Sequence, residues 1–406
     1  MPELSIKQTV LCDMPVIESC KGKYVKIKNI KKDVLNLASF DFLCLSGRDE
    51  VKNETIRCLE YYGVGSCGPR GFYGTIDQHL RIESAIAKFC GVQEAIAYSE
   101  GASAVTSAIS AFAKKGDLLL VDEACGLPIL NGVDLSRSTV YYFKHNDMVD
   151  LESILKTIAD DDRKLKRNSL DQRRFIIAEG LYRNTGQLCE LSKIIELKEK
   201  YFYRLILDES LSFGAIGKTG RGVLEHFNVP ASEVEIRIVS MDSTLASCGG
   251  ICVGTREIVD HQRLSGAGYC FSASSPPFFS GTAAVALEIM EKNPGLLAKL
   301  HSNAKKLGTS LEKIKGWKLY SKEKNPILHL VLHPAPNRLE EEEDKILRIV
   351  QTCLELGVGV VASKQALTKS SKNLRPSIRV CISSELSDKE INTAYETIEK
   401  AVTMVI

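Results

Sequence analysis

The stretch from Arg204 to Gly254 contains the residues whose types and spacing are best suited to chemistry. An apolar run of strand length ends in Asp208, and a glycine-rich turn, residues 214–222, follows it. A second strand-like run, residues 236–241, leads to Ser243. A serine hydroxyl cannot form an imine with an aldehyde, so covalent amine chemistry is excluded at this position.

Composition and length describe a soluble globular chain with an ordinary core. The 406 residues are 44% hydrophobic and 26% charged, which is enough for two domains. The net charge of +2 gives no general attraction to nucleic acid or to an anionic membrane. The thirteen cysteines are scattered without a C-x-x-C pair, so we expect buried thiols in a reducing compartment and no metal site.

A glycine-rich loop at residues 61–75 contains a formal match to the dinucleotide fingerprint G-x-G-x-x-G, at residues 63–68. That fingerprint needs a strand before it and a helix after it. Here a helical pattern, residues 50–60, precedes the match and Pro69 follows it at once. We therefore interpret the loop as backbone that passes close to another surface, where glycine is needed for lack of space.

These segments together resemble the α-oxoamine synthases, fold-type I enzymes that use pyridoxal phosphate (PLP). The family reads Asp-Glu-Ala-His-Ser after its strand, then Gly-x-x-Gly-x-x-Gly-Arg-Gly, then Thr-Lys-Ser before paired glycines. Aligned on those glycines, the lysine that holds PLP corresponds to Ser243, and the acid on the pyridinium nitrogen corresponds to Asp208. The family's two histidines correspond to Leu211 and Gly126. The resemblance thus implies a protomer that does not hold PLP, with Asp208 as a remnant.

The turn before a predicted helix at residues 102–114 carries a second departure from the family. In the α-oxoamine synthases the amides of this turn face the PLP phosphate. Here Glu100 places a carboxylate where the phosphate would lie. Alternatively, the negative charge of Glu100 stabilises the helix N-terminus through its interaction with the helix dipole, and both interpretations can hold together.

Residues 270–277 resemble the family segment that crosses the dimer interface and touches the phosphate of the partner's PLP. Ser272, Ala273 and Ser274 occupy those positions, although a helix-capping serine run is an alternative. The glycine-rich loop resembles the family's Tyr-Gly-x-Gly-x-x-x-x-Arg-x-x-x-Gly-Thr, which lies near the shared active site. From that loop we expect four interface residues: Tyr62, Cys67, Arg70 and Thr75.

In one branch of the family, a subunit without the lysine pairs with a lysine-bearing subunit that condenses L-serine with palmitoyl-CoA. The amino-acid sequence of residues 65–75 resembles the corresponding segment of this branch. The resemblance implies a heterodimer in which the partner holds PLP and this chain completes the partner's site with residues 61–75 and 270–277. Such subunits usually begin with a membrane segment. The first dozen residues here lack one, so we expect attachment to the cytosolic face of the endoplasmic reticulum through the partner.

Two alternatives remain at this point. The chain is an active α-oxoamine synthase that uses a displaced lysine, for which Lys218 is nearest in sequence, or it is a degenerate scaffold that acts alone. We also expect His145 to bond locally at a helix start and residues 161–174 to form a solvated loop. Arg379 matches the family arginine that grips the substrate carboxylate, and we expect it to be structural or interfacial here.

Strand and helix patterns alternate over residues 75–280, which predicts a mixed, mostly parallel seven-stranded sheet with helices on both faces. The resemblance sharpens this α/β prediction to the large domain of the fold-type I PLP transferases, with a smaller C-terminal α/β domain. We predict an N-terminal segment with the interface loop at 1–74, a large domain at 75–285 and a small domain at 286–406.

Overall fold

A computed structural model of the chain describes residues 15–167, 171–321, 323–334, 338–363 and 374–405. The strands are β1 (Ile17–Lys21), β2 (Tyr24–Ile27), β3 (Val34–Asn36), β4 (Glu94–Tyr98), β5 (Leu118–Asp122), β6 (Thr139–Phe143), β7 (Arg174–Glu179), β8 (Arg204–Asp208), β9 (Ile236–Ser240), β10 (Gly250–Gly254), β11 (Trp317–Leu319), β12 (Ile327–Leu332), β13 (Val358–Gly359), β14 (Val361–Ser363) and β15 (Ser377–Cys381). The helices are α1 (Asp49–Tyr62), α2 (Asp77–Cys90), α3 (Gly101–Phe112), α4 (Leu127–Ser136), α5 (Met148–Leu165), α6 (Leu191–Tyr201), α7 (Val223–His226), α8 (Arg256–Ser265), α9 (Ala267–Cys270), α10 (Pro277–Lys292), α11 (Gly295–Leu311), α12 (Leu339–Leu356) and α13 (Asp388–Val405).

A seven-stranded sheet in the order β4-β10-β9-β8-β7-β5-β6 forms the centre of the molecule. All its neighbours pair in parallel except β10, which is antiparallel to both β4 and β9. Every residue of β5, β7 and β9 is buried, as expected for strands that helices cover on both faces. The predicted α/β architecture is confirmed.

The strand directions bring several chain segments to one edge of this sheet. Strands β7 and β8 are parallel and end in Glu179 and Asp208, which face each other in register. The segment after β9 carries Asp242, and the turn after β4 carries Glu100. A cleft at the carboxyl edge of a mostly parallel sheet is the usual position for a ligand site.

Two smaller sheets complete the fold. One has the order β11-β12-β15-β14 with antiparallel pairs throughout, and the other has the order β1-β2-β3-β13. In the second, β3 pairs in parallel with β13, although more than 300 residues separate them in the chain. The N-terminal segment therefore shares hydrogen bonds with the C-terminal part, while the three-part division given above stays a prediction.

The expected loop at residues 161–174 is wrong at both ends. Helix α5 continues to Leu165, and β7 already begins at Arg174. The charges in this segment are partly internal, because Asp162 and Arg174 form a buried ion pair of 2.7 Å. The charged residues of this segment therefore lie partly in α5 and β7, and the ion pair joins the end of this helix to the start of this strand.

The last helix, α13, begins at a local capping signal in the sequence, Ser387 followed three residues later by Glu390. The amide and hydroxyl of Ser387 both donate to the Glu390 carboxylate at the start of α13, and the Glu390 amide donates to the Ser387 hydroxyl at 3.4 Å, which completes a capping box. Within the described ranges, no helix combines the length and apolar character needed to cross a membrane.

Candidate functional site

A cleft of about 240 Å³ lies at the carboxyl edge of the central sheet. Its lining comes from the ends of β7 and β8, from the segment after β9 and from the first turn of α3. Asp208, Leu211 and Gly126, the three positions matched to the family's acid and two histidines, line this cleft. The lining also includes the charged residues Glu100, Glu179, Arg183 and Asp242.

Glu100 closes the amino end of α3 with its own side chain. One carboxylate oxygen accepts a hydrogen bond from the amide of Ala102 at 2.9 Å, and the other accepts from the amide of Ser103 at 2.6 Å. Its backbone is extended, as an N-cap requires. These are the first-turn amides that could bind a phosphate group, and an internal carboxylate already occupies them.

The cleft carries an excess of acidic groups. Burial, together with the neighbouring Asp208, raises the pKa of Glu179 to about 8, despite backbone amides that donate to both of its oxygens. Burial also raises the pKa of Asp208, against the hydrogen bond that its carboxylate accepts from the Ser210 amide. With its pKa raised to about 8, Glu179 is largely protonated at neutral pH, so the repulsion that a further anion meets comes from the carboxylates of Glu100 and Asp242.

Ser243 lies buried behind the cleft and is absent from its lining. Its hydroxyl donates to the Ser210 carbonyl at 3.0 Å, which ties the segment after β9 to the segment after β8. The neighbouring Thr244 makes the same kind of bond to the Phe213 carbonyl at 3.1 Å. The Ser243 side chain therefore serves as a link between two strand ends.

The position of Gly126 has no room for a ring. Its amide donates to the Glu179 carboxylate, and a Cβ built at Gly126 would lie 3.0 Å from the same oxygen. Any larger side chain at this position would displace that carboxylate. Glu179 is absent from the predicted site, although its signal, an acid at the end of an apolar run, is the same one that identified Asp208.

Lys218 does not reach the cleft. Its residue is exposed, and the lining of the cleft among the described residues contains no lysine. The turn that carries it is fixed elsewhere, because Glu225 accepts hydrogen bonds from the backbone amides of Thr219 and Arg221. The displaced-lysine alternative thus has no support from the geometry.

A buried ion pair fixes the glycine-rich loop. The Arg70 guanidinium binds both oxygens of Glu83, at 2.8 and 3.0 Å, and also donates to the Thr75 hydroxyl at 3.0 Å. Glu83 accepts a further bond from the Ala97 amide in β4. Arg70 and Thr75, both predicted at an interface, thereby hold the shape of the loop, and Arg70 itself is buried.

The serine segment packs against the same loop. The amide and hydroxyl of Ser274 both donate to the Gly68 carbonyl, at 2.9 and 3.1 Å, and the Ser272 hydroxyl donates to the Gly268 carbonyl. Helix capping, the alternative for this segment, is wrong for α10, because its N-cap is Pro276 and no side chain caps it. Ala273 is exposed, and its amide makes no hydrogen bond within the described part of the chain.

An exposed apolar surface surrounds these two loops. Tyr73 and Phe271 are almost fully exposed, at 105% and 88%, and Tyr61, Val64 and Phe72 add to them. Cys67 is exposed in the same loop, while the Tyr62 hydroxyl donates to Asp77 at 2.8 Å. Large exposed aromatic side chains on two loops that contact each other are typical of a surface that a partner covers.

His145 makes long-range contacts where a local bond was expected. Its Nδ1 lies 2.9 Å from Asp122 Oδ1, and its Nε2 lies 3.0 Å from the Thr185 hydroxyl. This acid, imidazole and hydroxyl arrangement is that of a nucleophilic triad, but Thr185 is fully buried and cannot meet a substrate. The three residues join β5, the loop before α5 and the loop after β7.

Arg379 lies in β15 and packs against side chains from other segments of the chain. Its guanidinium lies over the Phe40 ring at 4.6 Å, and Arg183 lies over the same ring at 4.9 Å. Burial first, and the neighbouring Arg183 cation next, lower the pKa of Arg379. These contacts agree with the structural role expected for this residue.

Residues 32–398 match the family model described as aminotransferase class I and II. Long chain base biosynthesis protein 1 of Arabidopsis thaliana is 41% identical over 387 residues, which span 95% of this chain and 79% of that protein. Serine palmitoyltransferase 1 of Dictyostelium discoideum is 40% identical over 398 residues, spanning 96% and 82%. Serine palmitoyltransferase 1 of Saccharomyces cerevisiae is 32% identical over 431 residues, spanning 98% and 77%.

Solved structures share the fold. A serine palmitoyltransferase variant from S. paucimobilis with a bound PLP–myriocin aldimine superposes with a TM-score of 0.85 at 23% identity, covering 97% of this chain and 93% of that one. An 8-amino-7-oxononanoate synthase from Francisella tularensis superposes with a TM-score of 0.74 at 22% identity, covering 91% and 98%.

Proposed function

This chain belongs to the class I and II aminotransferase family, and within it to the group of long chain base biosynthesis protein 1 and serine palmitoyltransferase 1; from that premise we propose that it is the non-catalytic subunit of a serine palmitoyltransferase. Its partner is a lysine-bearing subunit that holds PLP. Together they condense L-serine with palmitoyl-CoA to 3-ketosphinganine, CO2 and CoA, the first step of sphingolipid synthesis. We place the complex at the cytosolic face of the endoplasmic reticulum membrane, with this chain attached through its partner.

The observation that carries the proposal is the capping of α3 by Glu100. PLP needs a phosphate site, a partner for its ring and an amine. In this chain the first-turn amides of α3 are engaged by Glu100, and the carboxylates of Glu100 and Asp242 oppose the phosphate charge. The residues of this cleft therefore do not fit the cofactor.

The missing amine supports the same conclusion. Ser243, at the position that matches the family's lysine, is buried and bonded to the Ser210 carbonyl. Its hydroxyl is not a substitute nucleophile for imine formation. Asp208, the remnant acid, faces a cleft in which Leu211 and Gly126 stand at the positions of the two histidines.

The loops supply what this chain contributes to its partner. Because Ser274 uses both donors on Gly68, the group left to contact a partner's phosphate is the free amide of Ala273, with the Ser272 segment beside it. The surrounding aromatic surface provides the apolar area that a stable subunit contact needs. The interface residues Tyr62, Cys67, Arg70 and Thr75 keep the roles proposed for them, with Arg70 acting from within the loop.

Co-expression with a lysine-bearing subunit tests the proposal. We expect the two chains to purify together and to release CoA from palmitoyl-CoA only when L-serine is added. Replacing the partner's lysine should abolish this activity, whereas this chain alone with PLP should stay colourless. A yellow colour that borohydride bleaches, or turnover by this chain alone, would contradict the proposal and favour the displaced-lysine alternative. Stable folding without any association would favour the independent scaffold.

A further inference from the structure

A second cavity lies at the opposite edge of the central sheet. It has a volume of about 610 Å³ and is formed where β7, β8 and β9 begin, together with the end of α3 and the start of α8. The cleft described above lies where the same strands end. The two cavities are therefore separated by the length of the sheet, and a ligand in one cannot occupy the other.

The floor of this second cavity is apolar. Phe175 and Ile236 come from the strands and are buried, and Phe112 and Ile258 contribute from the two helices. Its volume falls within the roughly 300–1,000 Å³ range of small-molecule pockets. The apolar floor and this volume suit an aliphatic chain.

Two arginines at this cavity have guanidinium groups that are available to bind an anion. Arg204 is exposed, and its guanidinium forms no ion pair or hydrogen bond with any residue in the described ranges. Arg173 donates one guanidinium bond, to the Phe112 carbonyl at 2.9 Å, and is otherwise exposed. A guanidinium fork matches the two oxygens of a carboxylate.

The acids at this cavity decide the charge of the ligand. Glu235 is already engaged, since it accepts from Lys198 at 2.8 Å and from the Leu205 amide at 2.7 Å. Glu257 stays exposed, and the Thr255 hydroxyl first of all lowers its pKa, so it is anionic at neutral pH. Two arginines against the single unpaired Glu257 leave a net positive surrounding for an anionic head group, and the two oxygens of a carboxylate match a guanidinium fork.

We propose that this cavity binds a single-chain aliphatic carboxylate, with the chain on the floor formed by Phe112, Phe175 and Ile236 and the carboxylate at Arg173 and Arg204. The proposal rests on this chain's own cavity and does not depend on the function proposed above. Because the cavity is remote from the cleft, the carboxylate does not compete with a ligand there.

The test uses dodecanoate with a terminal photoreactive diazirine, applied to the full chain as it purifies, alone or with its partner. We expect crosslinks on peptides that contain residues 91–93, 231–236 or 254–258. The double variant Arg173→Gln/Arg204→Gln should label at least about 10-fold less, since both forks to the carboxylate are lost. Arg348→Gln, an exposed arginine on α12, is the matched control and should label as the unchanged protein does.

Titration calorimetry with unmodified ligands gives an independent readout. Lengthening the chain from octanoate to dodecanoate should tighten binding by up to about fourfold per methylene. Ser232→Trp, at an exposed lining position, should block binding, and dodecanol should bind at least about 10-fold more weakly than dodecanoate. Crosslinks confined to other peptides, equal labelling of the double variant, or equal affinity for the alcohol would each overturn the proposal. These outcomes leave the co-expression test unaffected.

Discussion

Glu100 closes the amino end of α3 with its own carboxylate, so two first-turn amides have a partner inside the chain. An N-cap side chain of this kind contributes about 0.5–2 kcal/mol to stability. It also excludes any other anion from the same donors. Both effects belong to a single side chain and can be separated from the rest of the cleft by one substitution.

We expect Glu100→Ala to lower the free energy of unfolding by about 1 kcal/mol, because it leaves two helix amides without a protein partner. The same change should let inorganic phosphate raise the thermal midpoint of the variant, since phosphate then binds only the folded chain. Thermal unfolding with and without phosphate measures both effects. Glu60→Ala, at an exposed position in α1, is the control, and an equal phosphate response of the two variants would refute the assignment.

Sequence reasoning at this scale identified side chains by type but not by contact. Asp208 and Leu211 both line the cleft. Their place in the fold could be predicted, because an apolar run of strand length marks the end of a strand and the turn that follows it. The bonds of His145 to Asp122 and Thr185 could not be read in the same way, since they join residues 23 and 40 positions away. The spacing of residues in the chain carries no record of such tertiary hydrogen bonds.

The turn at residues 214–222 is the element that fixes the sheet edge beneath the cleft. Glu209, which precedes the turn in the sequence, is fully buried beside it. Its carboxylate accepts hydrogen bonds from the Ser212 hydroxyl at 2.7 Å and from the Val223 amide at 2.8 Å. Arg237 in β9 lies 2.8 Å from the same carboxylate. Gly222 has a φ of 84° and lies against this carboxylate, so the turn has no space for a Cβ there.

Gly222→Ala should destabilise the fold by at least about 3 kcal/mol, because it combines a left-handed backbone with an overlap of the methyl group and Glu209. Gly295→Ala is the matched control, since no atom lies within 4 Å of a Cβ at Gly295 and its φ is not positive. Chemical denaturation of the two variants measures the difference. Equal stability of both variants would show that the turn adapts to a side chain.

Glu390 joins β2 to α13. Its carboxylate accepts from the Tyr24 hydroxyl at 2.7 Å and pairs with Lys23 at 2.8 Å. Burial alone would raise the pKa of Glu390, but the hydrogen bonds from Lys23, Ser387 and Tyr24 outweigh it and lower the pKa to about 2. The ionised form is therefore the one that stabilises the folded chain.

A carboxylate with a lowered pKa stabilises the fold above its unfolded pKa and loses that effect as the pH falls towards its folded pKa. For Glu390 the window lies between 4.5 and about 2. Glu390→Gln should cost about 1 kcal/mol at neutral pH, after allowance for screening by solvent, and the difference from wild type should narrow as the pH falls through this window. Thermal midpoints measured across it provide the check. Glu396→Gln, at an exposed position of the same helix, should show no such trend, and a constant deficit for Glu390→Gln would contradict the assignment.

Element positions were predicted more accurately than element contacts. The start of α13 is marked by a local signal, Ser387 followed by Glu390, whereas the end of α5 was missed because the ion pair of Asp162 with Arg174 is a tertiary contact. The density of charged residues at 161–174 predicted a solvent-exposed loop, but the side chains of Asp162 and Arg174 are buried. Local signals thus predict where an element begins, and long-range pairing decides where it ends.

At the scale of the whole molecule, the exposed aromatic surface has to be reconciled with a stable chain. Tyr73 and Phe271 contribute nothing to this chain's own core. If a partner covers them, their replacement affects association and leaves folding unchanged. The surface thus separates the chain's own stability from its assembly.

We expect Tyr73→Asn together with Phe271→Ser to weaken association with the lysine-bearing subunit by at least about 10-fold, through the loss of two aromatic anchors. Asparagine suits the positive φ of 62° at Tyr73. Val149→Ser, at an exposed apolar position in α5, should leave association unchanged. Co-purification with tagged partner and thermal unfolding of the chain provide the two readouts, and unchanged association would place the interface elsewhere.

The seven-stranded architecture could be predicted because alternating strand and helix patterns recur along the chain. The arginine-bearing cavity could not, because six separate segments between residues 91 and 258 form it. No pattern within any one of those segments identifies it. Its charge and volume exist only once the sheet has brought the segments together.

The pairing of β3 with β13 also bears on how the chain is made. Backbone hydrogen bonds join Leu35 to Gly357, Leu37 to Cys381 and Phe42 to Ser384. During synthesis, residues 34–42 therefore have no hydrogen-bond partners from this part of the chain until more than 300 further residues have been added. At about 5–20 residues per second, the ribosome needs roughly 20–70 s to supply them. During that interval the first strands present free edges to other nascent chains, and a chaperone that shields them would raise the yield of folded protein.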